Sequence, residues 1–201
     1  MAAPLNAVER ALDRIVRELS DIGTPHALIG GLAVSARAEP RTTRDVDMAV
    51  FVDSDESAEG LVFQLQSRGY VVQMLLEHER SGRIATVRLT RDTERGVYVD
   101  LLFASSGIED AIVSAAEELF VLEGVSVRVA TRAHLIAMKV LARDDRQRPQ
   151  DWDDLRSLLQ DATERDLTQA REALETIMSR GYNRGRDLGQ SLARAVTDTT
   201  R

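Results

Sequence analysis

The chain has 201 residues, of which 43% are hydrophobic and 29% charged, and a formal net charge of −7. This is the composition of a soluble globular domain, or of one domain with a small appendage. The acidic balance speaks against a general nucleic-acid coat and leaves room only for a local basic patch. The lack of cysteine excludes disulfides, thiolate zinc sites and a cysteine nucleophile.

In chain order, residues 5–21 place Leu5, Val8, Leu12, Ile15, Val16 and Leu19 at helical spacing. This first stretch carries acidic residues and no apolar core, so it does not read as a secretory leader. Gly23 and Pro25 end the helix. The run HALIG then reads as a short buried strand, meets Gly30-Gly31, and continues as a short helix, LAVSARA. The segment DVDMAVFV (45–52) has strand composition. DSDE supplies a turn and a cap for a helix over 55–68, and three strands are expected at 70–76, 85–90 and 97–104. The pattern over 108–122 turns helical, and VSVRVA (125–130) is a last short strand. From Thr131 onward only helices are expected, over 131–142, 150–160, 164–180 and 184–197. The division is therefore an α/β half over 1–130 and a helical region over 131–201 packed on it. No apolar run approaches the roughly 20 residues of a membrane span, so the expected location is the cytoplasm, with no membrane partner.

The chemistry concentrates in LIGGLAVSARAEPRTTRDVDMAV (28–50). Residues i and i+2 of a strand project from one face, about 6.5–7 Å apart, so Asp45 and Asp47 point the same way. Two carboxylates at that spacing repel and are costly to bury unpaired. A divalent cation between them removes the cost, and oxygen ligands suit Mg²⁺ or Mn²⁺. Asp100 is the only charge inside the apolar strand VYVDLLF. Beside the 45–52 strand it would bring three carboxylates to one place, enough for two ions about 3.5–4 Å apart. Gly30-Gly31 lets a backbone approach a phosphate at a helix start. Each feature alone has an ordinary reading as a turn or cap; their joint occurrence does not.

A strand, Gly-Gly, a short helix, Asp-x-Asp on a second strand and a lone Asp on a later strand resemble the nucleotidyltransferase fold of the DNA polymerase β superfamily. Arg41, Thr43, Asp45 and Asp47 follow Gly-Gly as Arg-x-(Ser/Thr)-x-Asp-x-Asp, which resembles the AbiEii-like branch, many of whose members are toxins of toxin–antitoxin or phage-defence systems. The likeness covers residues 26–104 and extends more loosely to Lys139, Arg148 and Asp151.

The fold this implies is a mixed β-sheet flanked by helices, in the α/β (α+β) class, with a C-terminal helical half. The implied activity is metal-dependent transfer of a nucleoside monophosphate from an NTP to an acceptor hydroxyl, with pyrophosphate released. Gly30 and Gly31 would hold the triphosphate, with Arg41 and Thr43 beside it. Asp45 and Asp47 would ligate the metal, and Asp100 would complete its shell or act as base. Lys139, the only lysine in the chain, would neutralise triphosphate charge, with Arg148 and Asp151 next to it.

The acceptor is an RNA (tRNA) 3′ end or a small molecule such as an antibiotic hydroxyl. A non-catalytic nucleotide- or partner-binding protein is the third reading, and an antitoxin protein is the implied partner. Arg37, Arg41, Arg44, Arg143, Arg146 and Arg148 are candidates to line an RNA groove, with neighbouring aspartates opposing the second group. His26, His78 and His134 lack metal-ligand spacing and read as structural.

Overall fold

A computed structural model of the chain describes residues 6–79, 81–122, 125–143 and 149–199. The elements are α1 (Ala7–Ile22), β1 (His26–Ile29), α2 (Gly30–Arg37), β2 (Asp45–Val50), α3 (Asp55–Ser67), β3 (Val71–Glu77), β4 (Ile84–Thr90), β5 (Tyr98–Leu102), α4 (Glu109–Ala115), β6 (Glu117–Leu122), β7 (Val125–Val129), α5 (Arg132–Ala142), α6 (Pro149–Gln160), α7 (Glu164–Ser179) and α8 (Leu188–Thr199). No helix among the described residues is long and apolar enough to cross a membrane.

Local chemistry explains most boundaries. Asn6 caps α1 in a reciprocal capping box with Glu9, and Gly23 closes the helix in the left-handed region. Ser54 caps α3 by accepting from the Ser57 amide, as the DSDE turn implies. Thr131 caps α5, accepting from the amide of His134. Thr163 and Asp166 form a second capping box on α7.

The seven strands form one mixed sheet in the order β3-β4-β5-β2-β1-β7-β6. β2 runs parallel to β5 and antiparallel to β1; β4 is antiparallel to both β3 and β5. β1 and β7 are parallel, and β6 returns antiparallel to β7. Leu28, Val46, Met48, Leu89, Leu101 and Val129 are all buried, as are Leu12, Ile15 and Leu19 of α1. The same hydrophobic cluster continues into α5–α8 through Leu135, Ile136, Leu174 and Leu192.

Two expectations need correction. Residues 108–122 are not one helix: α4 stops at Ala115 and 117–122 form an edge strand. The stretch EELFVL alternates, with Leu119 and Val121 packed on the core and Phe120 on the other face, 82% exposed. That alternation matches the pairing of Leu119 with Val127 and is lost in a helical reading. The last helix begins at Leu188, not at 184, because Arg184 (φ 53°) and Gly185 (φ 71°) are both left-handed and Asp187 caps the Gln190 amide.

Candidate active site

Sheet register assembles the site. One row of neighbours crosses five strands: Ile29 pairs with Asp47, Asp47 with Asp100, Asp100 with Arg88, and Arg88 with Met74. Neighbours in such a row project from the same face. Asp45 lies two positions earlier on β2, on that face, and pairs with Tyr98. The three aspartates therefore face one cleft, of about 490 Å³, whose walls include Gly30, Gly31, Arg41, Thr43, Arg88, Lys139, Asp151 and Arg184.

The two glycines have a steric reason beyond phosphate approach. Gly30 has φ +65°, and a Cβ there would sit 2.5 Å from Cγ and 2.7 Å from Cβ of Asp47, and closer still to Oδ2. A Cβ on Gly31 would meet the Arg41 guanidinium, 2.9 Å from Cζ, and the Thr43 hydroxyl at 3.1 Å. The glycine pair thus admits the side chains of the Arg-x-Thr-x-Asp-x-Asp stretch. The Gly31 amide donates to Asp47.

The electrostatics show what the site wants. Asp47 is pushed up to about 6, mainly by burial, then by the charges of Asp100 and Asp45, with Lys139 and the Gly31 amide opposing. A carboxyl raised by its like-charged neighbours is a group that a cation would return to its ionised form. Asp100 is buried and grips Arg88 with both oxygens, at 2.8 Å to Nε and 2.6 Å to Nη2. Arg88 is raised by Asp100 and also by Asp45 and Asp47, and its guanidinium lies 4.8 Å above the Tyr98 ring. Among the described residues no three acidic or imidazole groups are gathered closely enough to form a metal cage. Asp45 and Asp47 fit a hydrated divalent cation by donor type and shared face; both oxygens of Asp100 accept from Arg88.

A buried ion network closes the floor. Lys139 Nζ lies 2.7 Å from Asp151 and 2.6 Å from Asp154. Asp154 also takes Arg41 at 2.6 Å through Nε and 3.1 Å through Nη2. Asp151 and Asp154 are 3% and 2% exposed, which ties α5, α6 and the α2–β2 loop together. Lys139 keeps a third N–H and lines the cleft.

Arg88 and Asp154 were missed as site residues because their partners are 12 and 113 positions away. Arg148 lies outside the described residues, as does Arg146. Arg37, expected to flank a groove, instead holds the carbonyls of Val129 and Ala130 and the carboxylate of Glu117. Arg143 stacks over Trp152. Arg44 is exposed. The histidines sit apart: His26 on the Thr24 carbonyl, His78 on Ser81, His134 on Thr131.

The fourth wall is the α7–α8 loop. Arg186 donates to the carbonyls of Leu141 and Arg143 at the end of α5, and Tyr182 lies against His78, ring centres 4.1 Å apart. This braces Arg184 at the cleft rim, exposed and in the left-handed region. Of the cations lining the cleft among the described residues, Arg184 alone is not paired with a carboxylate.

A family model described as "Nucleotidyl transferase AbiEii toxin, Type IV TA system" matches residues 10–198. No curated protein matches. Among solved structures, the chain resembles an antigenic nucleotidyltransferase-like protein from Paracoccidioides brasiliensis, with 19% identity, 95% of each chain covered and a TM-score of 0.53. It is also similar to ANT(2")-Ia in complex with adenylyl-2"-tobramycin (16% identity, 94% of this chain and 97% of that one, TM-score 0.47). A third likeness is to the lincosamide antibiotic adenylyltransferase LnuA (14% identity, 86% and 99%, TM-score 0.45).

Proposed function

The chain belongs to the AbiEii nucleotidyl transferase toxin family and is a nucleotidyltransferase; from that premise we propose that it transfers a nucleoside monophosphate from an NTP to the 3′ hydroxyl of an RNA such as tRNA, with Mg²⁺ or Mn²⁺ held by Asp45 and Asp47 and completed by Asp100. The observation that carries the reading is the single row of Asp47, Asp100 and Arg88 across β2, β5 and β4, with Asp45 on the same face and Gly30 against Asp47.

In the reaction the acceptor oxygen bonds to the α-phosphorus, the bond to the bridging oxygen of the β-phosphate breaks, and pyrophosphate leaves. The divalent ion supplies charge neutralisation and activation of the attacking oxygen. The protein's own groups position and neutralise. Gly31 orients Asp47 through its amide, and the start of α2, where Gly30 and Gly31 line the cleft, offers backbone N–H groups to phosphate. Lys139, already oriented by Asp151 and Asp154, offers its remaining N–H to the triphosphate. Arg184 supplies the cation left unpaired. Asp100, where it does not complete the metal shell, would take the proton from the acceptor hydroxyl.

The acceptor side favours RNA over a polycationic small molecule. Among the described residues, Asp151, Asp154 and Asp100 are engaged by cations and Asp45 and Asp47 are the proposed metal ligands, so no further acidic side chain of the cleft faces amines. Beside them, Met74 and Leu76 line the cleft from an edge strand and are 36% and 49% exposed. Such an apolar wall suits contact with the face of a base. The test is transfer of label from each α-labelled NTP to total tRNA, intact or with its 3′ diol oxidised by periodate. Transfer only to intact tRNA is expected. Equal labelling of both pools would remove the 3′ end as acceptor.

A further inference from the structure

We infer that Arg88 is a positioning residue that holds Asp100 and stands in for the divalent cation, so that full metal occupancy waits for the nucleotide; this rests on the reading of Asp45, Asp47 and Asp100 as ligands. The geometry is specific. Arg88 and Asp100 are direct cross-strand neighbours on β4 and β5. Both oxygens of Asp100 accept from the same guanidinium, at 2.8 and 2.6 Å. A bidentate grip of this kind fixes the carboxylate plane and uses the lone pairs on its open side. Asp100 is 7% exposed, so water offers it little else.

Arg88 also feels the charges of Asp45 and Asp47, and the Tyr98 ring lies under its guanidinium. A single protein cation thus faces all three carboxylates that a metal would face. Two consequences follow from simple electrostatics. A divalent ion entering among these aspartates meets a positive charge only a few ångströms away, which weakens its binding. An incoming triphosphate offers the guanidinium a second bidentate anion, and Arg is well matched to phosphate. Nucleotide binding then frees Asp100 for the metal, and metal affinity rises with nucleotide by more than chelation alone gives. The arrangement also keeps Asp100 paired when nucleotide is absent, where a buried lone carboxylate would be costly.

The experiment is Mn²⁺ binding by titration calorimetry and electron paramagnetic resonance. It compares the wild-type chain, Arg88→Gln and Arg88→Lys, with and without a non-hydrolysable α,β-methylene NTP analogue. Thermal melts establish that each variant is folded. Without nucleotide, Arg88→Gln is expected to bind Mn²⁺ about ten-fold or more tightly than the wild type, since a nearby like charge has gone. The enhancement by nucleotide should shrink in the same variant. Arg88→Lys, which keeps the charge and loses the two-pronged grip, should fall between. If Arg88→Gln does not fold, a rise in affinity in Arg88→Lys alone carries the test. A merely structural arginine would lower or leave unchanged the Mn²⁺ affinity of a folded variant, and that result overturns the proposal while leaving the metal reading intact. If the wild type binds no Mn²⁺ even with the analogue, the proposal and the metal reading fall together.

Discussion

Gly30→Ala is the sharpest probe of why the glycine pair exists. The new methyl would enter at φ +65°, which costs a residue with a Cβ roughly 1–2 kcal/mol. It would also lie within 2.5 Å of Asp47 Cγ and 2.7 Å of its Cβ, too close for either to stay. Asp47 is not free to swing aside at no cost, because the Gly31 amide holds its carboxylate. Giving up a hydrogen bond to a charged group costs about 1.5–3 kcal/mol. The total is about 2.5–5 kcal/mol, which for a chain of this size lowers the melting temperature by roughly 5–20 °C. Gly31→Ala should be milder, since no left-handed backbone is involved and its new methyl meets only the end of the Arg41 side chain, held there by Asp154, at about 1–3 kcal/mol. Calorimetric melts of both variants, with label transfer measured in parallel, make the comparison. A Gly30→Ala protein with the wild-type melting temperature and transfer rate would refute the steric pairing of Gly30 with Asp47.

Three more outcomes are expected. Asp154→Asn strips the shared anion from Lys139 and Arg41, both within 2.6 Å of it; urea unfolding should show a loss of about 3 kcal/mol or more, and an unchanged midpoint would remove the network from the stability of the fold. Asp47, raised on folding to about 6, binds its proton more tightly in the folded chain. Its contribution is therefore fully present below about pH 4 and is lost as pH rises through about 6. Metal-free Asp47→Asn should match the wild type at pH 4 and exceed it by up to about 3 kcal/mol at pH 8, and the opposite trend in urea melts would reverse the sign of the argument. Arg184→Gln should leave the fold unchanged and raise KM for the NTP about ten-fold or more, as expected for losing a charge-assisted contact to phosphate; an unaltered KM would exclude Arg184 from the triphosphate site.

Much of the site is legible because its residues belong to short periodic segments. The two-residue period of a strand puts Asp45 and Asp47 on one face, and a lone charge in VYVDLLF marks Asp100 as exceptional before any pairing is known. Gly30-Gly31 between a strand and a helix is likewise a local pattern. What escapes is register and long-range pairing. Nothing in ATVRLT says that Arg88 lies across from Asp100 rather than one residue along. Nothing near Asp154 says that it neutralises both Lys139 and Arg41 from a different element. The strand at 117–122 begins with two glutamates and follows a helix, so a helical period absorbs it until its antiparallel partner is seen. Arg184 was hidden inside an expected helix, and its left-handed backbone is what removes it from that helix and leaves it at the cleft.

The most direct test of nucleotidyl transfer at Asp45 and Asp47 compares α-labelled with γ-labelled NTP in the presence of Mg²⁺ and tRNA, for the wild type and for Asp47→Asn. The account predicts that α-label appears on RNA and γ-label appears only in pyrophosphate, with both signals lost in the variant while its fold persists. Label from the γ-position on the acceptor, or full α-label transfer by Asp47→Asn, would contradict it.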